Sequence, residues 1–382
     1  MFSATQIKDE IKKNKSSLYN SFFQTYKYDF DFKKIKKFKK FQTVIVIGMG
    51  GSVLGAKAIY SFLKHRIKKK FIFIDNLDQS FLNKIKKKYK LSNALFLIVS
   101  KSGNTNETII NLSYFRTFLK KSNVIIISEN KNNILSSFAK RNEFNFIKHK
   151  PSIGGRYSVF SEVGMLPAYL MGFKPGDFKK NLPKFLNNRK ILSDSIKRLS
   201  KIKIKRSKIL ILFNYVPELN DFMFWCQQLL AESLGKNKKG FIPVVSNAPK
   251  DHHSLLQLYL DGPKDKIFYV FSSKSTNNLK LNSSFLGEKA RYINKKNYHD
   301  IKLSQKNAFI QVLKENKTPF REIIIKKFNQ DTLGKLFLLF IFETIILSKM
   351  IKVNPFDQPA VEKVKILTKK FLISKKSSKK NF

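Results

Sequence analysis

A glycine-rich loop follows an apolar run near the start of the chain. Residues 48–55 read GMGGSVLG, directly after the run TVIVI. A helical pattern, LGAKAIYSFLKH, comes next, so free backbone N–H groups and the positive end of a helix would face the same point. A dinucleotide-binding loop needs glycine where Val53 stands, and the Gly-Lys-Ser/Thr of a P-loop is absent. The loop therefore predicts a site for a smaller anion or, alternatively, a tight turn without a ligand.

A second polar loop follows the apolar run ALFLIV. Residues 100–108 read SKSGNTNET, with three hydroxyls, one ammonium group and a glycine in the first six positions. A helix cap that runs from Thr105 to Thr108 is the alternative explanation. Such a cap does not need the hydroxyls of Ser100 and Ser102. We therefore expect a second anion-binding loop, sized for a phosphate group.

Glu232 is a candidate proton acceptor in the segment QQLLAESLGK. Asn220 or Asp221 could cap the start of the helix that carries it, and Gly235 could end that helix. Glu232 would then lie in the last turn, where the helix dipole disfavours negative charge. Gln228 lies one turn earlier on the same face. An ordinary surface carboxylate is the alternative interpretation of Glu232.

Arg156 follows two glycines in the segment GGRYS, in a chain with nine arginines among 75 basic residues. Because lysine supplies almost every other positive charge, this arginine indicates a requirement for the planar guanidinium group, which binds oxyanions through paired hydrogen bonds. The alternative is a loop arginine that packs on Tyr157.

Two adjacent histidines, His252 and His253, follow Asp251. Imidazole exchanges protons near neutral pH and is also a common metal ligand. Neighbouring residues do not share a helix face, and position 257, one turn after His253, is a glutamine. The chain has one cysteine, Cys226, and no other cluster of metal ligands. A metal site at the histidines is therefore the less favoured alternative to proton exchange, and the sequence predicts no metal and no cofactor.

Composition favours a globular protein with a strongly basic surface. The formal net charge is +49, which by itself suggests a nucleic-acid-binding protein. However, the lysine clusters are dispersed, no recognition motif accompanies them, and the enriched residue types have codons rich in A and T. We therefore predict a solvated basic surface that attracts anionic substrates, with no nucleic-acid partner.

The sequence predicts no membrane segment and a cytoplasmic location. The first residues, MFSATQIKDEIKKNK, lack the apolar core of a secretory signal. The most apolar stretch, residues 336–347, is shorter than the roughly 20 residues that a bilayer crossing needs. We predict a helix buried in protein there.

Apolar runs alternate with helical patterns in two similar halves of the chain, which is typical of parallel sheets covered by helices. A lysine-rich stretch, residues 174–206, separates the halves. Ligands of such sheets bind at the carboxyl ends of the strands, where the two polar loops begin. The predicted strands are residues 43–48, 71–75, 94–100, 123–128, 208–214, 241–246, 266–273 and 321–327.

The pattern Ser-x-Ser-Gly-x-Thr-x-Glu after a strand resembles the sugar-isomerase (SIS) domain, a phosphosugar-binding fold. Six segments between residues 44 and 365 occur in the order seen in the glucose-6-phosphate isomerase family: GMGGSVLG, SKSGNTNET, GGRYSVFS, LLAESLGK, HHSLLQLYLDG and NPFDQPAVEKVK. This resemblance implies two SIS-type three-layer α/β/α domains, each with a mainly parallel sheet. Their expected bounds are 41–190 and 200–350, with a helical N-terminal extension (1–40) and a helical C-terminal tail (351–382).

The resemblance also implies an activity, namely the reversible isomerisation of glucose 6-phosphate and fructose 6-phosphate through ring opening and a cis-enediol. Glu232 would be the base, and Arg156 would hold the enediolate. His253 would open the ring from the partner subunit of a homodimer, with help from Lys365. The residues expected to contact substrate are Gly51, Ser52, Ser100, Lys101, Ser102, Thr105, Gln228 and Gln358.

Three alternatives remain at this stage. A bifunctional phosphoglucose/phosphomannose isomerase has the same two domains, but that family usually has threonine where Gln358 stands. A non-catalytic phosphosugar sensor would keep both anion loops and lose the base or the acid. A nucleic-acid-binding protein would bind duplexes with a steep salt dependence and would not turn over a sugar phosphate.

Overall fold

The computed structural model describes residues 4–188, 207–274 and 279–374. Within these ranges, strands with buried apolar residues form two sheets. The strands are β1 (Thr43–Gly48), β2 (Lys70–Ile74), β3 (Ala94–Val99), β4 (Val124–Ser128), β5 (Asn145–Lys148), β6 (Ile209–Asn214), β7 (Ile242–Asn247), β8 (Lys266–Ser273) and β9 (Phe320–Ile325).

Helices connect the strands and cover both sheets. The α-helices are α1 (Ala4–Asn14), α2 (Ser16–Ser21), α3 (Phe32–Lys36), α4 (Leu54–Phe62), α5 (Gln79–Lys88), α6 (Asn106–Tyr114), α7 (Ile134–Arg141), α8 (Glu162–Leu170), α9 (Leu182–Asn187), α10 (Asn220–Leu234), α11 (Lys250–Ser254), α12 (Leu256–Leu260), α13 (Tyr298–Glu315), α14 (Gln330–Met350) and α15 (Glu362–Ser374). Short 3₁₀ helices lie at Lys37–Lys40, Gly50–Ser52, Lys64–Arg66, Leu91–Asn93, Arg116–Phe118, Gly155–Phe160, Pro175–Phe178, Pro217–Leu219, Ser284–Leu286, Glu288–Ile293 and Pro359–Val361.

Both sheets are parallel. The first has the strand order β2-β1-β3-β4-β5, and the second has the order β7-β6-β8-β9. In the first sheet β1 and β3 are neighbours, and Gly48 at the end of β1 pairs with Val99 at the end of β3. The two polar loops therefore leave the same edge of the sheet side by side, at the position where ligands of parallel sheets bind.

The eight strands predicted from the sequence are all present, with bounds within a few residues. The sequence interpretation missed β5, a four-residue edge strand whose residues are mostly part-exposed, so its apolar signal is weak. Residues 189–206 of the lysine-rich stretch lie outside the described ranges. The division into domains at 41–190 and 200–350 stays a prediction.

Helix α14 confirms the buried helix predicted at residues 336–347. The centroid of the Phe337 ring in α14 lies 4.7 Å from that of Trp225 in α10 and 6.0 Å from that of Phe160. Both partners are buried, and α10 also packs against α4 of the first half. None of the helices in the described ranges is long and apolar enough to cross a membrane.

A buried lysine ties the N-terminal segment to the first half of the chain. The Lys179 ammonium lies over the rings of Tyr26 and Tyr28, 4.7 and 4.6 Å from their centroids, and it makes no hydrogen bond within the described residues. The buried Glu162 carboxylate accepts hydrogen bonds from the Tyr26 hydroxyl and from the backbone N–H of Asp29. Burial lowers the pKa of Lys179 to about 7, against the opposing effect of Glu162.

Candidate active site

A cavity of about 460 Å³ opens at the carboxyl ends of β1 and β3. It is lined by residues from both polar loops, from helix α10 and from the tail after α14. Most of the side chains that the sequence singled out meet here. The predicted residues that line the cavity are Gly51, Ser52, Lys101, Ser102, Thr105, Arg156, Gln228, Glu232, Gln358 and Lys365.

The glycine loop packs directly against the loop that carries Arg156. A Cβ atom on Gly51 would lie 2.3 Å from the carbonyl carbon of Gly155 and 2.5 Å from the backbone nitrogen of Arg156. Gly50 has a positive φ of 52°, which favours glycine, and its Cα faces the amide of Gln228. Glycine is therefore required at position 51 by the close approach of the two loops and favoured at position 50 by its backbone conformation, before any ligand is considered.

The second loop forms a network of hydroxyl groups. The hydroxyl of Ser100 lies 2.9 Å from that of Thr105 and accepts a hydrogen bond from the backbone N–H of Gly103. Thr105 precedes α6 but its side chain does not cap the helix, so the alternative of a capping box is wrong. Ser102 and Thr105 line the cavity, whereas Ser100 is buried beneath Thr105 and does not. Ser100 is placed to orient Thr105.

Lys101 is the main cation of this loop. Its ammonium donates a hydrogen bond to the carbonyl of Pro151 and lies 3.7 Å from the Glu129 carboxylate. Burial lowers the pKa of Lys101, and Glu129 opposes this effect. Glu129 also forms an ion pair with Lys131. An anion that enters the cavity could therefore pair with the ammonium groups of Lys101 and Lys131 in place of Glu129.

Sequence reasoning missed Glu129 and Lys131, both of which line the cavity. They follow β4 directly, and β4 is the next strand after β3 in the sheet. The rule that ligands bind at the carboxyl ends of parallel strands could have found them. Phe356, also missed, lies in the tail segment and carries no comparable signal.

All five N–H donor positions of Arg156 are used. Nε donates to the hydroxyl of Ser233, and Nη2 donates to the backbone carbonyls of Pro355 and Asp357. Nη1 donates to Glu232 Oε2 at 3.1 Å and to Gln358 Oε1 at 3.3 Å. Only the acceptors of Nη1 line the cavity, so Nη1 is the nitrogen of this guanidinium that lies nearest the cavity acceptors. The guanidinium also lies 5.3 Å from the Tyr157 ring, so it packs on Tyr157 as well.

Glu232 lies in the last turn of α10, as predicted, with both carboxylate oxygens held. Oε2 accepts from Arg156, and Oε1 accepts from Gln228 Nε2 at 2.9 Å. Its side chain is 31% exposed, toward the cavity. A carboxylate fixed at this position can receive a proton from a carbon atom of a bound molecule.

The predicted cap of α10 is wrong. The helix begins at Asn220, and Leu219 precedes it without a side-chain cap. The Asn220 amide instead accepts a hydrogen bond from Asn247, and the Asp221 carboxylate accepts one from the hydroxyl of Ser61. These contacts link α10 to β7 and α4, so tertiary contacts occupy both candidate caps.

The tail after α14 closes one side of the cavity. Gln358 reaches Arg156, and Lys365 of α15 lines the cavity while it lies 3.3 Å from Glu362. Helix α15 has no buried residue in a single chain. Its large apolar side chains Val364, Ile366 and Phe371 are each more than 60% exposed.

His253 does not line the cavity of its own chain. It lies on the short helix α11, after β7 of the second sheet, and its side chain is exposed. Its neighbour His252 is half-buried. No group of three or more metal-ligating side chains is found in the part of the chain that the structure describes.

Solved structures resemble this fold over nearly the whole chain. A hypothetical protein of Thermus thermophilus has a TM-score of 0.79 at 23% identity, with 97% of this chain and 89% of that chain covered. A glucose-6-phosphate isomerase from Chlamydia trachomatis has a TM-score of 0.71 at 18% identity, with 97% and 74% covered. The predicted fold class, two mainly parallel SIS-type α/β units, is confirmed.

Sequence comparison agrees with the fold. The glucose-6-phosphate isomerase of Methanocaldococcus jannaschii is 34% identical over 357 residues, which cover 88% of this chain and 86% of that relative. Residues 23–382 match the sequence profile of the family described as Phosphoglucose isomerase. The chain therefore belongs to the phosphoglucose isomerase family.

Proposed function

We propose that this protein interconverts glucose 6-phosphate and fructose 6-phosphate. The observation that carries the proposal is that Glu232 and Arg156, 3.1 Å apart, share one cavity with the hydroxyl-rich loop. A base, a guanidinium and an anion-binding loop together meet the needs of an aldose–ketose isomerase acting on a phosphorylated sugar. The family match and the names of the relatives support the same reaction.

The glycine-rich loop and the hydroxyl-rich loop would together hold the phosphate group. Ser52, Ser102 and Thr105 supply hydroxyl donors, and Lys101 supplies a charge. Four cationic side chains and two carboxylates line the cavity, which favours an anionic ligand. The attraction would weaken at high salt.

Glu232 would transfer the proton between the two carbons that change oxidation state. It removes the proton from carbon 2 of the open-chain aldose and returns a proton to carbon 1, and the reverse reaction uses the same carboxylate. The intermediate carries negative charge on an oxygen atom. Arg156 Nη1 would stabilise that charge by exchanging its bond to Gln358 for one to the substrate.

Ring opening would need a second subunit. His253 is exposed and lies outside the cavity of its own chain. We propose that it enters the cavity of a partner chain in a homodimer and, with Lys365, moves protons between the ring oxygen and the anomeric hydroxyl. The exposed apolar side chains of α15, next to the cavity, support association with a second copy. A cytoplasmic location belongs to the same proposal, because sugar phosphates do not cross membranes unaided.

The test is product analysis with purified protein, fructose 6-phosphate and EDTA. Glucose 6-phosphate and mannose 6-phosphate are followed in parallel by coupled assays. We expect glucose 6-phosphate alone. Both products would indicate the bifunctional isomerase, and no product would indicate a sensor that binds phosphosugars without turnover.

A mixing experiment tests the contribution of His253 across the interface. The Glu232→Gln and His253→Ala chains are each expected to be nearly inactive. If the two are unfolded and refolded together, a hybrid dimer holds one intact site, and a random 1:1 mixture should regain about a quarter of the wild-type activity. A mixture no more active than the separate variants would contradict the shared site.

A further inference from the structure

His252, the residue next to His253, is held by buried aromatic side chains of the second half of the chain. The Nε2 atom of His252 lies 2.6 Å from the hydroxyl of Tyr215, which follows the end of β6 and is 3% exposed. The His252 ring also packs against Phe213 and Phe309, with centroids 5.6 and 5.9 Å apart. Burial lowers the pKa of His252, and His253 lowers it further. A neutral His252 can accept the hydrogen bond from Tyr215.

Asp251, the residue before His252, is held by hydrogen bonds to strand β7. The Asp251 carboxylate accepts hydrogen bonds from the Ser246 hydroxyl at 2.9 Å and from the backbone N–H of Asn247 at 2.7 Å, both on β7. Its other oxygen accepts from the hydroxyl of Ser254. The two residues before His253 are thus fixed to two neighbouring strands, β6 and β7.

Helix α11 needs such anchors. It has five residues and no side-chain cap, and an isolated helix of this length is not stable in water. Because adjacent residues point to different sides of a helix, a half-buried His252 that is held by Tyr215 directs His253 outward. The orientation of the exposed imidazole is therefore set by contacts that His253 does not itself make.

We infer that Tyr215 and His252 are positioning residues, which hold His253 in the orientation that opens the sugar ring in the partner's cavity. The inference rests on the role of His253 in the proposed function. Neither residue lines the cavity, so neither is expected to touch substrate. Their removal should slow ring opening while substrate binding through the anion loop is retained.

The experiment measures ring opening separately from isomerisation. Exchange between the anomers of fructose 6-phosphate, followed by NMR, requires opening and closing of the ring and no proton transfer at carbon 1. For Tyr215→Phe and His252→Leu we expect the rate of this exchange to fall about three- to ten-fold, which corresponds to the usual free-energy contribution of one hydrogen bond. The KM for fructose 6-phosphate should stay unchanged within about two-fold.

Two further variants separate positioning from a general loss of structure. In His252→Gln the side-chain carbonyl can still accept from Tyr215, so exchange should recover toward the wild-type rate. Tyr259→Phe is the matched control, because Tyr259 packs edge-on against the same Phe213 ring but its hydroxyl is not the one bonded to His252. This control should exchange anomers at the wild-type rate.

The outcomes distinguish the positioning role of Tyr215 and His252 from the ring-opening role of His253, on which the positioning role rests. If His253→Ala slows exchange while Tyr215→Phe and His252→Leu do not, the positioning role is wrong and the role of His253 stands. If His253→Ala itself exchanges anomers normally, both are wrong. If Tyr259→Phe slows exchange as much as Tyr215→Phe, the effect does not depend on the hydrogen bond between Tyr215 and His252, and the inference is overturned.

Discussion

Replacement of Gly51 by alanine tests whether the contact between the glycine loop and the Arg156 loop builds the active site. The added Cβ would lie 2.3 Å from the Gly155 carbonyl carbon. Carbon atoms in contact are normally about 3.5 to 4.0 Å apart, so the loops must separate by at least about 1 Å. Because both loops line the cavity, this separation moves Arg156 relative to the anion-binding residues.

The expected cost has two parts. Overpacking of this kind lowers the free energy of unfolding by about 1 to 3 kcal/mol. A displacement of about 1 Å in an active site can reduce catalysis roughly 100-fold. We therefore predict a loss of this size in kcat/KM for Gly51→Ala, measured by the coupled assay, alongside a lower midpoint of urea unfolding.

Gly155→Ala is the matched control for stability. A Cβ on Gly155 would come no closer than 4.0 Å to its nearest neighbour, Gly51 Cα, and its φ is not positive. The free energy of unfolding should be unchanged or rise by up to about 1 kcal/mol. If Gly51→Ala were as stable and as active as wild type, the proposed requirement for close approach of the two loops would be refuted.

Three other variants probe different parts of the account. Glu232→Gln should lower kcat by about 100- to 10,000-fold, as expected for the loss of a general base, while fluorescence or calorimetric titration still detects substrate binding; an unchanged kcat would remove Glu232 as the base. Lys101→Ala should raise KM about ten-fold or more, because a charged hydrogen bond to phosphate is lost. Lys131→Ala should have a smaller effect on KM, because Lys131 is more exposed. Equal effects of the two variants would place the phosphate elsewhere. The buried Lys179 has a pKa near 7 when folded and an ordinary value when unfolded, so the unfolded chain binds more protons above pH 7 and stability should rise with pH up to about 10. Lys179→Met should lose that rise in urea midpoints measured at pH 7, 8, 9 and 10, and a rise of wild-type size in the variant would show that other groups cause it.

Much of the fold could be predicted because its signals are local. The buried strands of a parallel sheet are runs of apolar residues, and eight of them are legible in the sequence. The apolar stretch at residues 336–347 likewise indicates a buried helix. Strand β5 was missed because an edge strand with part-exposed residues has no such run.

The site was predicted only in part, because tertiary contacts decide the roles of individual residues. Glu232 lies in the last turn of its helix as expected, but the predicted caps Asn220 and Asp221 instead bind residues from other elements. Ser100 has the hydroxyl of a phosphate ligand, yet it lies beneath Thr105. Burial and pairing of this kind depend on residues that are distant in sequence.

Composition alone could not identify the cavity residue Lys365 as a functional residue. In a chain with 75 basic residues, charge alone does not distinguish it from its neighbours. The register of the motif FDQPAVEKVK selected it, and the structure places it at the cavity. Its role in ring opening stays a prediction.

The central claim is that this protein converts fructose 6-phosphate to glucose 6-phosphate by proton transfer at Glu232. The most direct measurement is the incubation of wild-type protein with fructose 6-phosphate in D₂O, with NMR analysis of the product. The account predicts glucose 6-phosphate of which at least part carries deuterium at carbon 2, because the proton on Glu232 can exchange with the solvent before it is returned, and almost no product from Glu232→Gln under the same conditions. Product formed and labelled by Glu232→Gln at the wild-type rate would contradict it.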